Sequence, residues 1–309
     1  MLHHKVSTQK STNVRVLAFR RFTALLSRVA PVTAARLAER LFVTPLQTKQ
    51  PSRERAWADV AEKTRIPSPH GPIPVWMWGR GRKTVVLVHG WSGRGLQLGA
   101  MVEPLVELGY RVVTYDAPGH GLARGRTSSL LLFASALGLV ARRFSPVRGL
   151  VAHSLGATAA IYALAHRELA VERMVAIAPS ARLHLVRERF GKMTGFSEEV
   201  VDRMRGRFEK SLGFDWEASE PLRLAEGMPS SLLLIHDEAD PLVPHRESAE
   251  LAAAWPGARL LTTSGLGHHR VLRDSEVIAS AAAFFSQVSA TNHPPMNGLD
   301  YLELERKAS

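Results

Sequence analysis

Three residues that lie far apart in the sequence have the types needed for nucleophilic acyl chemistry: Ser154, Asp240 and His268. A serine hydroxyl is a weak nucleophile at neutral pH, so it needs a base, and the base needs an acid that orients it. The order serine, acid, histidine along the chain is one in which such groups occur together. This combination predicts attack by Ser154 on a carbonyl carbon, with His268 as base and Asp240 as its acid partner.

Ser154 occupies the segment Val-Ala-His-Ser-Leu-Gly-Ala at 151–157, where an apolar run gives way to an alanine-rich helical pattern. A serine on a sharp turn from strand to helix projects its hydroxyl at the top of a sheet, and the crowded backbone there needs small neighbours. Ala152 stands where the usual GxSxG motif has glycine. The alternative interpretation of Ser154 is an ordinary cap at the start of a helix.

The acid is less certain in position than in type. Asp240 follows the apolar run 231–235, but Asp237 and Glu238 lie on the same loop, and spacing alone does not exclude them. An aspartate before proline is also a common turn former. We favour Asp240 because the loop after a late strand is where this acid is expected.

The base has a neighbour of the same type. His268 and His269 are adjacent, and adjacent side chains point in different directions. Gly265 and Gly267 indicate a tight loop just before His268, which favours it as the histidine that reaches back over the sheet edge.

A tetrahedral oxyanion needs backbone donors that already point at it before the reaction. The loop His-Gly-Trp-Ser-Gly at 89–93 directly follows the apolar run 84–88 and is suited to that role. We expect the amides of Trp91 and Leu155 to be the two donors. The other histidines show no metal-ligand spacing, and this chemistry requires no cofactor.

The elements that must position these residues alternate between apolar strand-like runs and helical patterns. This alternation predicts an α/β fold with a mostly parallel sheet covered by helices on both faces. Ligands then bind at the carboxyl ends of the strands. The predicted strands are 64–66, 73–78, 84–88, 111–115, 149–152, 174–178, 231–235 and 259–262, and the helices between them include 96–108, 129–143, 157–165 and 246–255.

One interval is too long for a plain connection, and we interpret residues 180–229 as a helical cap inserted between late strands. Within it an apolar residue recurs every fourth position from Phe196 to Leu212, which predicts an amphipathic helix. Its apolar stripe is expected to pack on the core. The many basic residues of the cap would suit an anionic substrate, although such residues usually serve only to solvate a helix.

Residues 1–61 form a basic extension: positions 1–55 hold eleven Lys/Arg and two Asp/Glu, which is +9 of the chain's formal +12. Residues 1–12 are expected to be a loose end, and 14–42 two helices split at Pro31. We expect their apolar stripe to pack on the domain; weak contact with an anionic membrane is the alternative. Residues 62–289 form the main domain, and the polar tail 290–309 is expected to be disordered.

The composition limits the function further. The chain has 309 residues, 45% of them hydrophobic, enough for one large core, and it has no cysteine, which excludes a thiolate nucleophile or a disulfide framework. Arginines interrupt the apolar residues near the N-terminus before a secretory signal could form, so a cytoplasmic location is expected. No motif for binding nucleic acid accompanies the positive charge.

Five motifs in order resemble the α/β-hydrolase superfamily, specifically its capped, esterase-like and lipase-like branch. They are HGWSG at 89–93, DAPGHG at 116–121, AHSLGA at 152–157, DEADPLVP at 237–244 and GLGH at 265–268. The resemblance implies an oxyanion role for Trp91 and a structural role for Asp116 and His120. The sequence departs from it at His236-Asp237, where family members have His-Gly.

The expected function is therefore hydrolysis of a carboxylic ester or similar acyl bond of a small molecule, through an acyl-enzyme. An acyltransferase or thioesterase could use the same three residues. A non-catalytic binding protein of this fold, recruited through the basic N-terminus, is the alternative from another class.

Overall fold

An eight-stranded sheet lies at the centre of the computed structural model, which describes residues 2–287 and their side chains from residue 14 onward. The order across the sheet is β1-β2-β4-β3-β5-β6-β7-β8; β2 is antiparallel to both neighbours, and the pairs from β4 to β8 are parallel. This confirms the predicted mostly parallel α/β sheet. The strands are β1 Glu62–Ile66, β2 Ile73–Trp78, β3 Thr84–Val88, β4 Arg111–Tyr115, β5 Val147–His153, β6 Arg173–Ile177, β7 Ser231–Asp237 and β8 Arg259–Thr263.

Helices connect these strands and precede them at the N-terminus. They are α1 Leu2–Val29, α2 Pro31–Phe42, α3 Ser52–Asp59, α4 Val102–Glu107, α5 Leu130–Arg143, α6 Leu155–Ala165, α7 Leu183–Thr194, α8 Glu198–Leu212, α9 Pro221–Leu224, α10 His245–Ala254, α11 Gly267–Arg270 and α12 Ser275–Ser286. The helix predicted at 96–108 begins instead as a 3₁₀ segment, Gly95–Met101, because two of its residues are glycines with low helix propensity. Among residues 2–287, no helix combines the length and the apolar character needed to cross a bilayer.

The central strands have no polar face. All five residues of β3 and of β6 are buried, because helices cover both sides of the sheet. Phe133 of α5 and Ile161 of α6 fill one side, while Leu105 of α4 and Phe284 of α12 fill the other. The carboxyl ends of β3, β5, β7 and β8 consequently meet at one edge, where the four predicted loops emerge.

A third, smaller core joins the extension to the inserted segment. The predicted amphipathic helix is present as α8, and its buried residues Val200, Met204 and Phe208 share an apolar cluster with Ala34 and Ala38 of α2. We expected the apolar stripe to pack on the core of the main domain. It packs instead mainly on the N-terminal extension. The alanines on α2 allow this close approach because their side chains are too small to hold the two helix backbones apart.

Helix α1 differs from the prediction. Helix formation begins at Leu2, so residues 2–12 of the expected loose end are helical, although α1 and α2 do separate at Pro31 as predicted. Most of the apolar side chains of α1 that we expected to pack on the domain, among them Leu25 and Val29, are exposed, and Leu26 packs against the third core. Polar groups also hold the helix at the corner between α7 and α8. Thr23 donates to the Thr194 carbonyl at 2.5 Å, and Ser27 accepts a hydrogen bond from the Ser197 amide at 3.3 Å. The predicted tail at 290–309 lies outside the described residues.

Met204→Ala tests the third core. Met204 is fully buried, and its truncation should lower the free energy of unfolding by about 2–5 kcal/mol, since the lost contacts leave a cavity. The matched control is Met193→Ala, because Met193 is largely exposed and should change stability by no more than about 0.5 kcal/mol. Urea denaturation of both variants measures the difference, and equal effects would contradict the packing described here.

Candidate active site

Ser154 lies on a strained turn between β5 and α6. Its backbone has φ 51° and ψ −124°, a conformation rare for a residue with a side chain. Gly156 is required beside it, because a Cβ there would come within 2.2 Å of the His89 carbonyl oxygen. A Cβ at Gly90 would likewise lie 3.0 Å from the Cβ of Ser154. Ala152, which stands where the motif has glycine, is fully buried in the core, so a methyl group fits there.

The structure brings Ser154, His268 and Asp240 into one hydrogen-bonded chain. The Nδ1 atom of His268 lies 2.6 Å from Oδ2 of Asp240, and its Nε2 atom lies 3.0 Å from the Ser154 hydroxyl oxygen. A carboxylate accepts hydrogen bonds, so Nδ1 carries the ring proton and Nε2 is the acceptor that faces the serine. This arrangement can receive the hydroxyl proton of Ser154.

The Asp240 carboxylate is held by its own loop. Its Oδ1 atom accepts hydrogen bonds from the amides of Leu242 at 2.8 Å and Val243 at 3.0 Å. Burial opposes ionisation, but hydrogen bonds from His236, His268 and the Val243 amide outweigh it and hold the pKa of Asp240 well below its usual range. The acid therefore remains a carboxylate at any pH near neutrality.

The rival residues lie elsewhere. Asp237 accepts hydrogen bonds from the Thr263 hydroxyl, the Leu266 amide and the Ala239 amide, so it fastens the β7 loop to the β8 loop. Glu238 is exposed on the same turn. His269 is also exposed, while its neighbour His268 is 6% exposed and points to Asp240.

Two buried histidines that have no catalytic role in the sequence analysis contact this chain of groups. His236 donates from Nε2 to the Val243 carbonyl at 3.0 Å, with Oδ2 of Asp240 at 3.4 Å, and accepts at Nδ1 from the Ser248 hydroxyl. His153 donates from Nε2 to the backbone carbonyl of His268 at 3.0 Å. Burial holds the pKa of His153 well below its usual range, so it is a neutral support.

The glycine-rich loop after β3 forms a tight turn. The Gly93 amide donates to the Gly90 carbonyl at 3.1 Å, which leaves Trp91 and Ser92 at the centre of the turn, with Ser92 at φ 55°. The Leu155 amide opens α6, where first-turn N–H groups have no helical acceptor. Both expected donors thus belong to backbone segments next to Ser154.

The N-terminal extension holds this loop in place. The Leu46 amide donates to the Ser92 hydroxyl at 2.9 Å. Arg94, directly after the turn, forms a buried ion pair with Glu54 at 2.5 Å and donates to the Thr48 carbonyl at 2.8 Å. No sequence signal linked residues 46–54 to the site, because these contacts join segments about forty residues apart.

The Asp-Ala-Pro-Gly-His-Gly segment at 116–121 supports the loop after β3 through buried hydrogen bonds. Asp116 accepts hydrogen bonds from the Gly95 amide at 2.8 Å and the Leu122 amide at 2.7 Å. Burial raises its pKa to about 6. His89 accepts from the Ala117 amide at 3.0 Å, and burial lowers its pKa to about 3. These contacts place Asp116 and His89 in structural roles, as the sequence had indicated for Asp116.

The basic residues of the inserted segment are mostly paired. Their partners are carboxylates of the same segment, of α10 or of α2, which favours the solvating role over an anionic pocket. The pairs are Arg182–Glu250, Arg187–Asp202, Arg189–Glu247, Lys192–Glu188, Arg203–Glu199, Arg205–Glu209 and Arg207–Glu39.

Comparison with known proteins agrees with this fold. Residues 85–281 match the family model described as the alpha/beta hydrolase family, which is more than half of the chain. The chain belongs to the α/β-hydrolase family. It is accordingly a hydrolase by family, and the resemblance drawn from the five motifs is confirmed. No curated protein matches the sequence significantly.

Solved structures of other α/β hydrolases share the fold at low identity. The esterase Pf2001 of Pyrococcus furiosus has 20% identity and a TM-score of 0.60, over 79% of this chain and 98% of its own. Est1E of Butyrivibrio proteoclasticus, solved with ferulic acid, has 16% identity and a TM-score of 0.59, over 72% and 100%. The thioesterase domain of the curacin biosynthetic pathway has 19% identity and a TM-score of 0.55, over 74% and 100%.

Asp240→Asn tests the electrostatics of the site through the pH dependence of stability. An acid whose folded pKa is depressed adds stability above its unfolded pKa of about 3.9 and loses it as pH falls toward the folded value. The free energy of unfolding of the wild type should therefore exceed that of the variant by about 1.5–3 kcal/mol at neutral pH, and the difference should shrink below about pH 4. Urea denaturation of both proteins at a series of pH values between acid and neutral measures this difference in the free energy of unfolding.

Glu238→Gln is the matched control for that experiment. It removes an exposed carboxylate from the same loop and should leave the difference from wild type small at every pH. An Asp240→Asn effect that stays constant with pH would assign the acid dependence to another carboxylate.

Proposed function

We propose that this α/β hydrolase cleaves a carboxylic ester or similar acyl bond, with Ser154 as nucleophile, His268 as general base and Asp240 as the orienting acid. The observation that carries the proposal is the pair of contacts at 3.0 Å and 2.6 Å that link the serine hydroxyl to the imidazole and the imidazole to the carboxylate. Both fall in the range required of a working nucleophile and base.

In the first half of the reaction, Ser154 attacks the acyl carbonyl while Nε2 of His268 takes the hydroxyl proton. The imidazolium then gives that proton to the leaving alkoxide, and the acyl group remains on the serine. Water, deprotonated by the same nitrogen, attacks the acyl-enzyme and releases the acid and the free serine. Asp240 stabilises the imidazolium throughout, since its carboxylate stays ionised.

The oxyanion formed in each half needs donors, and we assign them to the amides of Trp91 and Leu155. Trp91 lies within the turn that begins at Gly90, and Leu155 opens α6, whose N-terminus adds a favourable dipole. Support for this assignment comes from the contacts of Gly90 and Gly156, which set the two backbone segments against each other beside Ser154.

The segment 180–229 would act as a cap over this edge of the sheet. It leaves the sheet directly after β6 and returns before β7, the strand that leads to Asp240. Glu247 of α10 anchors its base by accepting hydrogen bonds from the Ala181 amide and the Arg189 guanidinium. A cap in this position excludes water and shapes the acyl pocket.

A thioesterase is the second candidate, because a thioesterase domain is among the proteins with the same fold. The same three residues serve either bond, so the discriminating measurement is direct. Rates for p-nitrophenyl esters and for acyl thioesters of matched chain length should be compared, with added alcohols as competing acceptors to reveal acyl transfer.

Labelling by a fluorophosphonate probe tests the nucleophile and its base. Wild type should be labelled, whereas Ser154→Ala and His268→Ala should not, since the probe reacts with an activated serine. His269→Ala is the matched control and should keep its labelling. With an ester substrate, kcat should fall on the order of 10⁴–10⁶-fold for Ser154→Ala and His268→Ala, and roughly 10⁴-fold for Asp240→Asn.

Circular dichroism and thermal unfolding show whether each variant is folded. A folded wild-type protein that takes no label would refute the proposed mechanism and bring forward a binding protein of this fold.

A further inference from the structure

Helix α1 turns an apolar stripe toward solvent. Val14, Ala18, Phe22, Leu25 and Val29 recur at spacings of three and four, which at 100° per residue places them within about 80° of one another. Phe22 is 54% exposed and Leu25 is 59% exposed, although side chains of this size normally seek the core. A contiguous exposed stripe of this kind marks an interaction surface.

The opposite side of the same helix is the one that packs. Thr23 is fully buried and Ser27 nearly so, and both bond to the corner between α7 and α8. Gly195 at that corner makes room for α1, because a Cβ there would lie 2.6 Å from the Arg20 carbonyl. The helix is thus fixed through Thr23, Ser27 and the half-buried Leu26, which packs against the third core, and the stripe from Val14 to Val29 faces outward.

Four arginines accompany the stripe, and they are not neutralised. Arg21 and Arg28 flank it on one side and Arg15 on the other, while Arg20 lies nearer the packed side. All four are exposed, and no ion pair within the described part of the chain includes them. The arginines of the inserted segment contrast with these, since they have carboxylate partners.

We infer that α1 is a docking surface for an anionic lipid bilayer. A helix that has an apolar stripe flanked by arginines lies in the interface with the stripe among the acyl chains and the guanidinium groups at the phosphates. A second copy of the chain is the less favourable occupant, because it would bring together the six flanking arginines of the two stripes. The charge of the surface therefore selects lipid, and the contacts of Thr23 would hold the inserted segment close to the bilayer.

Sedimentation with phosphatidylcholine vesicles, with and without phosphatidylglycerol, tests the inference. The full chain should bind the anionic vesicles, bind the neutral ones weakly and dissociate as salt is added. Replacing two apolar residues of the stripe, as F22Q with L25Q, should weaken binding at least about tenfold, since each side chain contributes the apolar area that it buries in the bilayer. Replacing the two arginines on one side of the stripe, as R21Q with R28Q, should weaken binding to anionic vesicles by about fivefold for each charge removed.

Matched controls use exposed residues at the opposite end of the sheet. Val60→Gln with Leu108→Gln, and Arg80→Gln with Arg82→Gln, should bind as wild type does, since neither pair lies on α1. Ser154→Ala should also bind normally, so this test is independent of the proposed reaction.

Two results would overturn the inference. One is a folded wild type that does not bind anionic vesicles, or binds them as well after the F22Q and L25Q changes. The other is self-association, seen by sedimentation velocity and lost in the same variant, without vesicle binding; a second copy would then occupy the stripe.

Discussion

The hydrogen bond between His268 and Asp240 decides how the rest of the site is arranged. Because the carboxylate accepts the hydrogen bond from the Nδ1–H group, only Nε2 remains to face Ser154, and the neighbouring contacts keep that ring in place. His153 holds the backbone of His268 from beneath, and the Leu242 and Val243 amides hold Asp240. Loss of this one bond would leave an imidazole free to rotate and to carry its proton on either nitrogen.

The nucleophile depends on a different constraint, which is steric. The positive φ of Ser154 is maintained because β5 and α6 are both packed into the core and Gly156 lies against the His89 carbonyl. Strain of this type costs of order 1–3 kcal/mol and persists where the surroundings over-determine it. His89 in turn bonds to the Ala117 amide, so the strained turn and the loop after β4 are one connected unit.

The sequence was sufficient for the sheet and for the residues brought together at its edge, because those signals are local. Apolar runs predict strands, and glycines beside Ser154 and His268 predict tight turns, within windows of a few residues. His236 was read as a departure from the family pattern, and its place beside Asp240 could not be foreseen, since it depends on how the loop after β7 folds back. The contact between α2 and α8 was hidden for a similar reason, because both helices had apolar stripes and nothing indicated that they would pair.

The error over α1 has a physical explanation that concerns competition for partners. The apolar cluster of the inserted segment is covered mainly by α2, through its alanines and its larger apolar side chains, and α1 reaches it only through Leu26 among the described residues. What remains at the corner with α7 is backbone and Gly195, which suits threonine and serine. Periodicity shows that a helix has two faces, but the chemistry of the receiving surface decides which face is buried. Here that choice leaves Arg15, Arg21 and Arg28, which have no ion-pair partner among the described residues, on the same exposed surface as the apolar stripe of α1.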